Sequence, residues 1–227
     1  MGDFIKIKST AEDGFEFDAY HAEAQGKRRG GVVVIQEIFG IDQYVKADVE
    51  RWAALGFEAI APSMYDRVQR GFHAEHDEAG IAEAFKTVRA ANPADALADM
   101  QAVINHLKTK GPVFITGYCY GGTMVWQAVG KLQGLSAGAS WYGGGVAGMA
   151  DLAPQAPVIC HLGRKDANIP ADDVKAKIQG ANPGVPVYIY ENSGHGFNND
   201  GRPDSDPDDA ALARKRTLEL FEANGAL

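Results

Sequence analysis

The chain has 227 residues, of which 45% are hydrophobic and 23% charged; this is ordinary globular usage, excludes long disorder, and gives enough length for a core that needs no metal or disulfide staple. Lys and Arg total 22 against 30 Asp and Glu, a formal net charge of −8, which argues against a nucleic-acid partner. No apolar run nears the ~18 residues of a spanning helix, no basic amphipathic stretch points to a membrane surface, and the start Met1-Gly2-Asp3-Phe4-Ile5-Lys6 lacks a signal-peptide core. With only Cys119 and Cys160, no disulfide framework is expected, and the expectation is a soluble, cytoplasmic protein with reduced thiols.

Phe4–Lys8 and Glu16–His21 read as an antiparallel hairpin about Asp13-Gly14. Val32–Gln36 is a continuous β-branched run, the pattern of a strand buried on both faces. Val45, Val49 and Trp52 share a helical face that Gly56 ends. Phe57–Ala61 is the next strand, closed by Pro62. Residues 63–92 carry the weakest pattern, with helix-compatible spacing from Glu75 to Ala91. Pro93 opens a helix that Gly111 ends. Strands follow at Val113–Thr116, Leu135–Tyr142, Val158–Leu162 and Val185–Tyr190, with helices at Gly121–Leu132, Pro170–Gln179 and about Asp208–Asn224. Strand–helix alternation predicts right-handed crossovers and a mostly parallel central sheet with helices on both faces. No linker or repeat divides the chain, so 1–227 reads as one α/β domain.

The chemistry concentrates at Gly117-Tyr118-Cys119-Tyr120-Gly121-Gly122, between a buried strand and a helix. A nucleophile on such an elbow needs small flanking residues, because side chains two positions away would clash. The free N–H groups at a helix start favour a thiolate. The N–H of Tyr120 lies where an oxyanion would form. Downstream, Leu162-Gly163-Arg164-Lys165-Asp166 and Ser193-Gly194-His195-Gly196-Phe197 each follow a strand. Cys119, Asp166 and His195 thus occur in the nucleophile–acid–histidine order of α/β-hydrolases, at the strand ends where such sheets gather their sites.

With Gln36-Glu37-Ile38-Phe39-Gly40, the Gly-Tyr-Cys-Tyr-Gly-Gly elbow, Trp141-Tyr142-Gly143, Gly163 to Asp166 and Gly194-His195-Gly196-Phe197, the chain resembles the dienelactone hydrolase family of α/β-hydrolases from Gly31 to the last helix. The resemblance implies the α/β-hydrolase fold and cleavage of a lactone or small carboxylic ester through a thioester, with no cofactor and no metal. It implies that Cys119 attacks, His195 shuttles the proton, Asp166 orients His195, and Ile38 with Tyr120 forms the oxyanion hole. It also gives Glu37 a part in converting the resting cysteine to thiolate. Phe39 and Asn199 are expected in the substrate pocket, and Tyr118, Tyr120, Trp141 and Phe197 adjoin the site, either shaping that pocket or packing around the elbow. One departure stands out. The family holds its substrate's carboxylate with arginines, one of them four residues past the catalytic histidine, and that position here is Asn199. Asn cannot supply the charge of a bidentate Arg, and Arg67 and Arg70 are not in a matching context.

Other features weigh less. Gly143–Gly148 fits a dinucleotide-loop pattern, but Pro154 and Pro157 leave no room for its helix. His73 and His76, with Glu75 and Asp77, have ligand spacing but read as solvated. Cys160 reads as a packed core thiol. A different class, a redox or electrophile sensor using the Cys119 thiol, and a promiscuous esterase or phosphotriesterase are the competing readings. The partner expected is a small molecule, and a monomer is expected.

Overall fold

The computed structural model describes residues 1–226. It is an α/β fold built on an eight-stranded sheet in the order β1-β2-β4-β3-β5-β6-β7-β8. By packing, the chain falls into two compact units, 1–115 with 132–135, and 116–131 with 136–226.

In the first unit, β1 (Asp3–Lys8) pairs antiparallel with β2 (Glu16–Ala22), and β2 antiparallel with β4 (Phe57–Pro62). β3 (Gly30–Ile35) runs parallel to β4, with Val32 opposite Ala59. Every residue of β3 and β4 is buried, as the unbroken apolar run of β3 requires; β4 is apolar but for Glu58. Pro62 belongs to β4 and pairs with Ala19, at a strand end where a missing N–H is tolerated. The helices α1 (Gln43–Ala54), α2 (Glu78–Ala90) and α3 (Pro93–Lys108) start on side-chain caps from Asp42, Asp77 and Asn92, which satisfy free first-turn amides. The Asp77 cap explains why α2 begins at Glu78 and not at Glu75, where the sequence pattern starts. Arg67 is clamped between Asp13 and Asp99 at 2.6 and 3.1 Å, and ties the loop after β4 to α3 and to the first hairpin.

In the second unit lie the C-terminal half of β5 (Val113–Tyr118), α4 (Tyr120–Lys131), β6 (Ala137–Trp141), β7 (Val158–Gly163), α5 (Ala171–Ala181), β8 (Val187–Tyr190) and α6 (Pro207–Ala223). β6, β7 and β8 pair in parallel. α4 buries Met124, Val125, Ala128 and Val129. Pro170 stands at the N-cap position of α5 without a side-chain cap, its carbonyl accepting from Val174 N at 3.0 Å, and Asp206 caps α6 through the amides of Asp208 and Asp209. Val146–Met149 forms only a 3₁₀ turn in the glycine-rich segment, as its prolines foretell. No helix among the described residues is long and apolar enough to cross a membrane.

Candidate active site

Within the second unit, the C-terminal ends of β5, β6, β7 and β8 carry Cys119, Tyr142, Asp166 and His195. Cys119 occupies the left-handed region at φ 54°, a conformation that costs an L-residue about 1–3 kcal/mol and persists only where its surroundings enforce it. They do so here. The Cys119 N–H donates to Trp141 O at 3.0 Å, and the Cys119 carbonyl accepts from Thr123 N at 3.2 Å, starting α4. A Cβ at Gly122 would lie 2.3 Å from Trp141 O, and one at Gly143 would lie 2.8 Å from the Gly122 carbonyl carbon. The glycines that let β6 approach the elbow are therefore Gly122 and Gly143, a pairing across sequence that the flanking-glycine argument does not contain.

Asp166 sits in the turn after β7 with its side chain 1% exposed. One carboxylate oxygen meets His195 Nδ1 at 2.6 Å. The other accepts from the amides of Asn168 and Ile169 at 2.9 and 3.2 Å, so the carboxylate is fixed before it meets the histidine. The two loops are stapled together. Lys165 N donates to Ser193 O at 2.9 Å, and Gly163 approaches so closely that a Cβ would lie 2.5 Å from Ser193 O.

His195 completes the set with a hydrogen bond to Cys119. Burial disfavours the imidazolium, but the hydrogen bonds to Asp166 and Cys119, and the negative charge of both, outweigh it and raise the His195 pKa from 6.5 to about 10. With Nδ1 on Asp166, Nε2 is left for the thiol.

Of the residues expected around the pocket, Trp141 and Phe197 are fully buried and Tyr118 and Asn199 nearly so. Trp141, Tyr142, Tyr190 and Phe197 form one aromatic cluster, with Phe197 5.4, 5.5 and 5.2 Å from the other three rings. Tyr120 is half-buried, and burial pushes its hydroxyl up to about 12. Tyr142 was not singled out from the sequence as a site residue, because nothing in a tyrosine's identity announces its left-handed φ of 38°.

In the first unit, Glu37, Ile38 and Phe39 follow β3 and are all buried. Gln36 fixes this segment: its amide donates to Glu37 O at 3.4 Å and its oxygen accepts from Met64 N at 3.3 Å. Phe39 stacks on His76, and His76 bonds Asp42 at 2.7 Å. His76 is thus packed rather than solvated, while His73 stays half-exposed, 3.9 Å from Glu75. Among the described residues, His21, Glu23 and Glu58 do bring ligand atoms within 4.8 Å of one another, but Glu58 already holds Arg28 and Lys110 at 2.8 and 2.9 Å, which supply the balancing positive charge.

An α/β sheet with a nucleophile elbow, an acid after one strand and a histidine after the next defines the α/β-hydrolase class. The chain belongs to the dienelactone hydrolase family, whose model matches residues 17–225. It is 27% identical to a carboxymethylenebutenolidase of Pseudomonas putida, covering 95% of this chain and 94% of that one. It is 30% identical to a provisionally named carboxymethylenebutenolidase of Salmonella typhimurium, covering 96% and 87%. A solved structure of a provisionally named dienelactone hydrolase from Klebsiella pneumoniae superposes with a TM-score of 0.82 at 27% identity, over 98% and 99% of the two chains. A dienelactone hydrolase-like promiscuous phosphotriesterase from metagenomic libraries shares the fold, with a TM-score of 0.76 at 21% identity over 98% of each chain. The protein is a hydrolase of the carboxylic ester and lactone class.

Proposed function

We propose that Cys119, His195 and Asp166 act as nucleophile, proton shuttle and orienting acid in hydrolysis of a lactone or small carboxylic ester through a thioester. The hydrogen-bonded series Asp166–His195–Cys119 on a strained elbow carries this reading. The Cys119 thiolate adds to the substrate carbonyl, forming a C–S bond and placing the electron pair on oxygen. The N–H of Tyr120, with that of Ile38 as the family resemblance implies, receives this oxyanion; one such donor contributes about 3 kcal/mol. Collapse breaks the C–O bond, and the leaving oxygen takes the proton of His195 Nε2. Forming the thioester removes the Cys119 charge that helped to raise His195, so the imidazole becomes a competent base at neutral pH. It then takes a proton from water as that water attacks the thioester. The C–S bond breaks, and thiolate and imidazolium are restored. By the same resemblance Glu37 assists formation of the resting thiolate, and the chain works as a single hydrolase domain.

The substrate class follows from charge. Arg67 is committed to Asp13 and Asp99, Arg70 to the Glu16 carbonyl, and Asn199 replaces the expected arginine. Neutral lactones and esters are therefore the preferred substrates. A panel of p-nitrophenyl esters, neutral lactones and carboxylate-bearing lactones tests both points. The expected result is turnover that favours neutral members and falls by at least about 10³-fold in Cys119→Ala. Undiminished turnover in that variant rejects the nucleophile. A thiol sensor would instead need Cys119 alone, leaving Asp166 and His195 variants without effect.

A further inference from the structure

Two non-glycine residues among those described have positive φ: Cys119 at 54° and Tyr142 at 38°. Such outliers survive where packing enforces them, and they gather at functional sites. Tyr142 directly follows Trp141, whose carbonyl accepts the Cys119 N–H at 3.0 Å. It directly precedes Gly143, which presses on the start of α4 at Gly122. The backbone of residues 141–143 is thus the footing of the elbow.

The side chain of Tyr142 faces the other half of the chemistry. Its ring lies 5.1 Å from the His195 ring at an interplanar angle of 58°, and 5.5 Å from Phe197, two residues beyond His195. It also lies 6.2 Å from Tyr118, the residue before Cys119. Tyr142 is fully buried, so it does not meet bulk solvent. Its N–H donates to His161 O at 2.8 Å. The His161 ring is itself locked between the Tyr190 hydroxyl at 2.8 Å and Thr217 Oγ1 at 3.0 Å, so the peptide that twists Tyr142 into its left-handed conformation is anchored on β7 and α6. Beside Cys119, the His195 ring is held by the bond from Nδ1 to Asp166 at 2.6 Å, and a single bond does not by itself fix rotation of a ring about it.

We propose that Tyr142 is a positioning residue for the hydrolysis: its strained backbone supports the Cys119 elbow while its ring blocks the swing of His195, so that one residue fixes the thiol-to-imidazole geometry. This inference rests on the triad reading and adds a residue to it. The phenol ring is the working part, and the positive φ is what delivers it to the histidine. A nucleophile and base misplaced by about 1 Å lose up to 10²-fold in rate.

The test compares Tyr142→Gly, Tyr142→Asn and Tyr142→Phe with wild type and Cys119→Ala. Gly and Asn accept positive φ but remove the ring; Phe keeps the ring. The expected result is a fall of about 10- to 100-fold in kcat for Tyr142→Gly and Tyr142→Asn, with KM little changed. The His195 titration followed by NMR moves down in both variants, since the ring is no longer held on Cys119. Tyr142→Phe restores rate and titration. A normal kcat in a folded ringless variant overturns the proposal, and so does a lowered kcat with an unmoved His195 titration, which would mark a general packing role. In wild type, a nuclear Overhauser contact between the Tyr142 and His195 rings must be present, and its absence overturns the proposal even where the ringless variants do not fold. Activity retained in Cys119→Ala would instead reject the triad reading beneath it.

Discussion

A histidine held at a pKa near 10 is a poor base at neutral pH, so the proposed mechanism requires the environment of His195 to change during turnover. His195 owes its rise to two partners, Asp166 and Cys119. Asp166 stays; the charge of Cys119 vanishes whenever its sulfur is capped. Alkylating Cys119 with iodoacetamide, a neutral cap, is therefore expected to bring the His195 titration down from about 10 toward the ordinary imidazole range near 6.5, read by NMR. The sign carries over to stability. A raised histidine adds stability that is complete below its unfolded pKa and is lost as pH rises through the folded value. Its contribution in the uncapped protein thus declines above about pH 6.5 and is gone near pH 10, and in the capped protein, where the folded and unfolded values converge, it shrinks toward nothing. An unmoved titration on capping would show that Asp166 alone holds the proton.

The elbow depends on elements that approach more closely than side chains allow. Gly122 on α4 meets the end of β6, where a Cβ would sit 2.3 Å from a backbone oxygen that cannot step aside. Gly122→Ala is expected to cost about 1–3 kcal/mol in denaturant melts and to lower turnover, because relief comes only by moving α4 away from β6. A variant with wild-type stability and rate would show that the approach is dispensable. Much of this arrangement is legible in the sequence: β3 as an unbroken apolar run, β4 as an apolar strand interrupted only by Glu58, and Cys119, Asp166 and His195 each just past a strand. The stretch 63–92 is not, for a physical reason. α2 buries only Ala84 and Thr87 and leaves Ile81 and Phe85 exposed, so its apolar spacing does not report its packing. Tyr142 was hidden because a left-handed φ is ordinarily announced by Gly or Asn, and here tertiary packing imposes it on an aromatic residue.

For the chain as a whole, a charged residue in an otherwise apolar strand is expected to make the first unit sensitive to acid. Glu58 in β4 has no exposed side-chain surface and binds Arg28, Lys110 and His21 at 2.8, 2.9 and 3.3 Å. Burial alone would raise its pKa, but the adjacent His21 ring and the hydrogen bonds from Lys110 and Arg28 hold it well below the usual 4.5. A depressed carboxylate contributes stability above its unfolded pKa that is lost as pH falls through the folded one. Glu58→Gln is expected to lose about 3 kcal/mol at pH 7, near the low end for a broken buried pair because Lys110 is half-exposed. The gap to wild type should close in strong acid, below pH 4.5; a gap constant with pH would contradict it. The protein's partners for Glu58 lie 30–52 residues away in sequence, which is why no local pattern reveals them. The claim on which the rest depends is covalent: acyl transfer passes through the Cys119 sulfur. Rapid mixing with a slow ester, acid quench and intact-mass analysis tests it directly. The account predicts a transient gain of the acyl mass, mapped to Cys119, labile to hydroxylamine and absent from Cys119→Ala. Full turnover with no adduct on Cys119, and a Cys119→Ala variant that keeps pace with wild type, would contradict it.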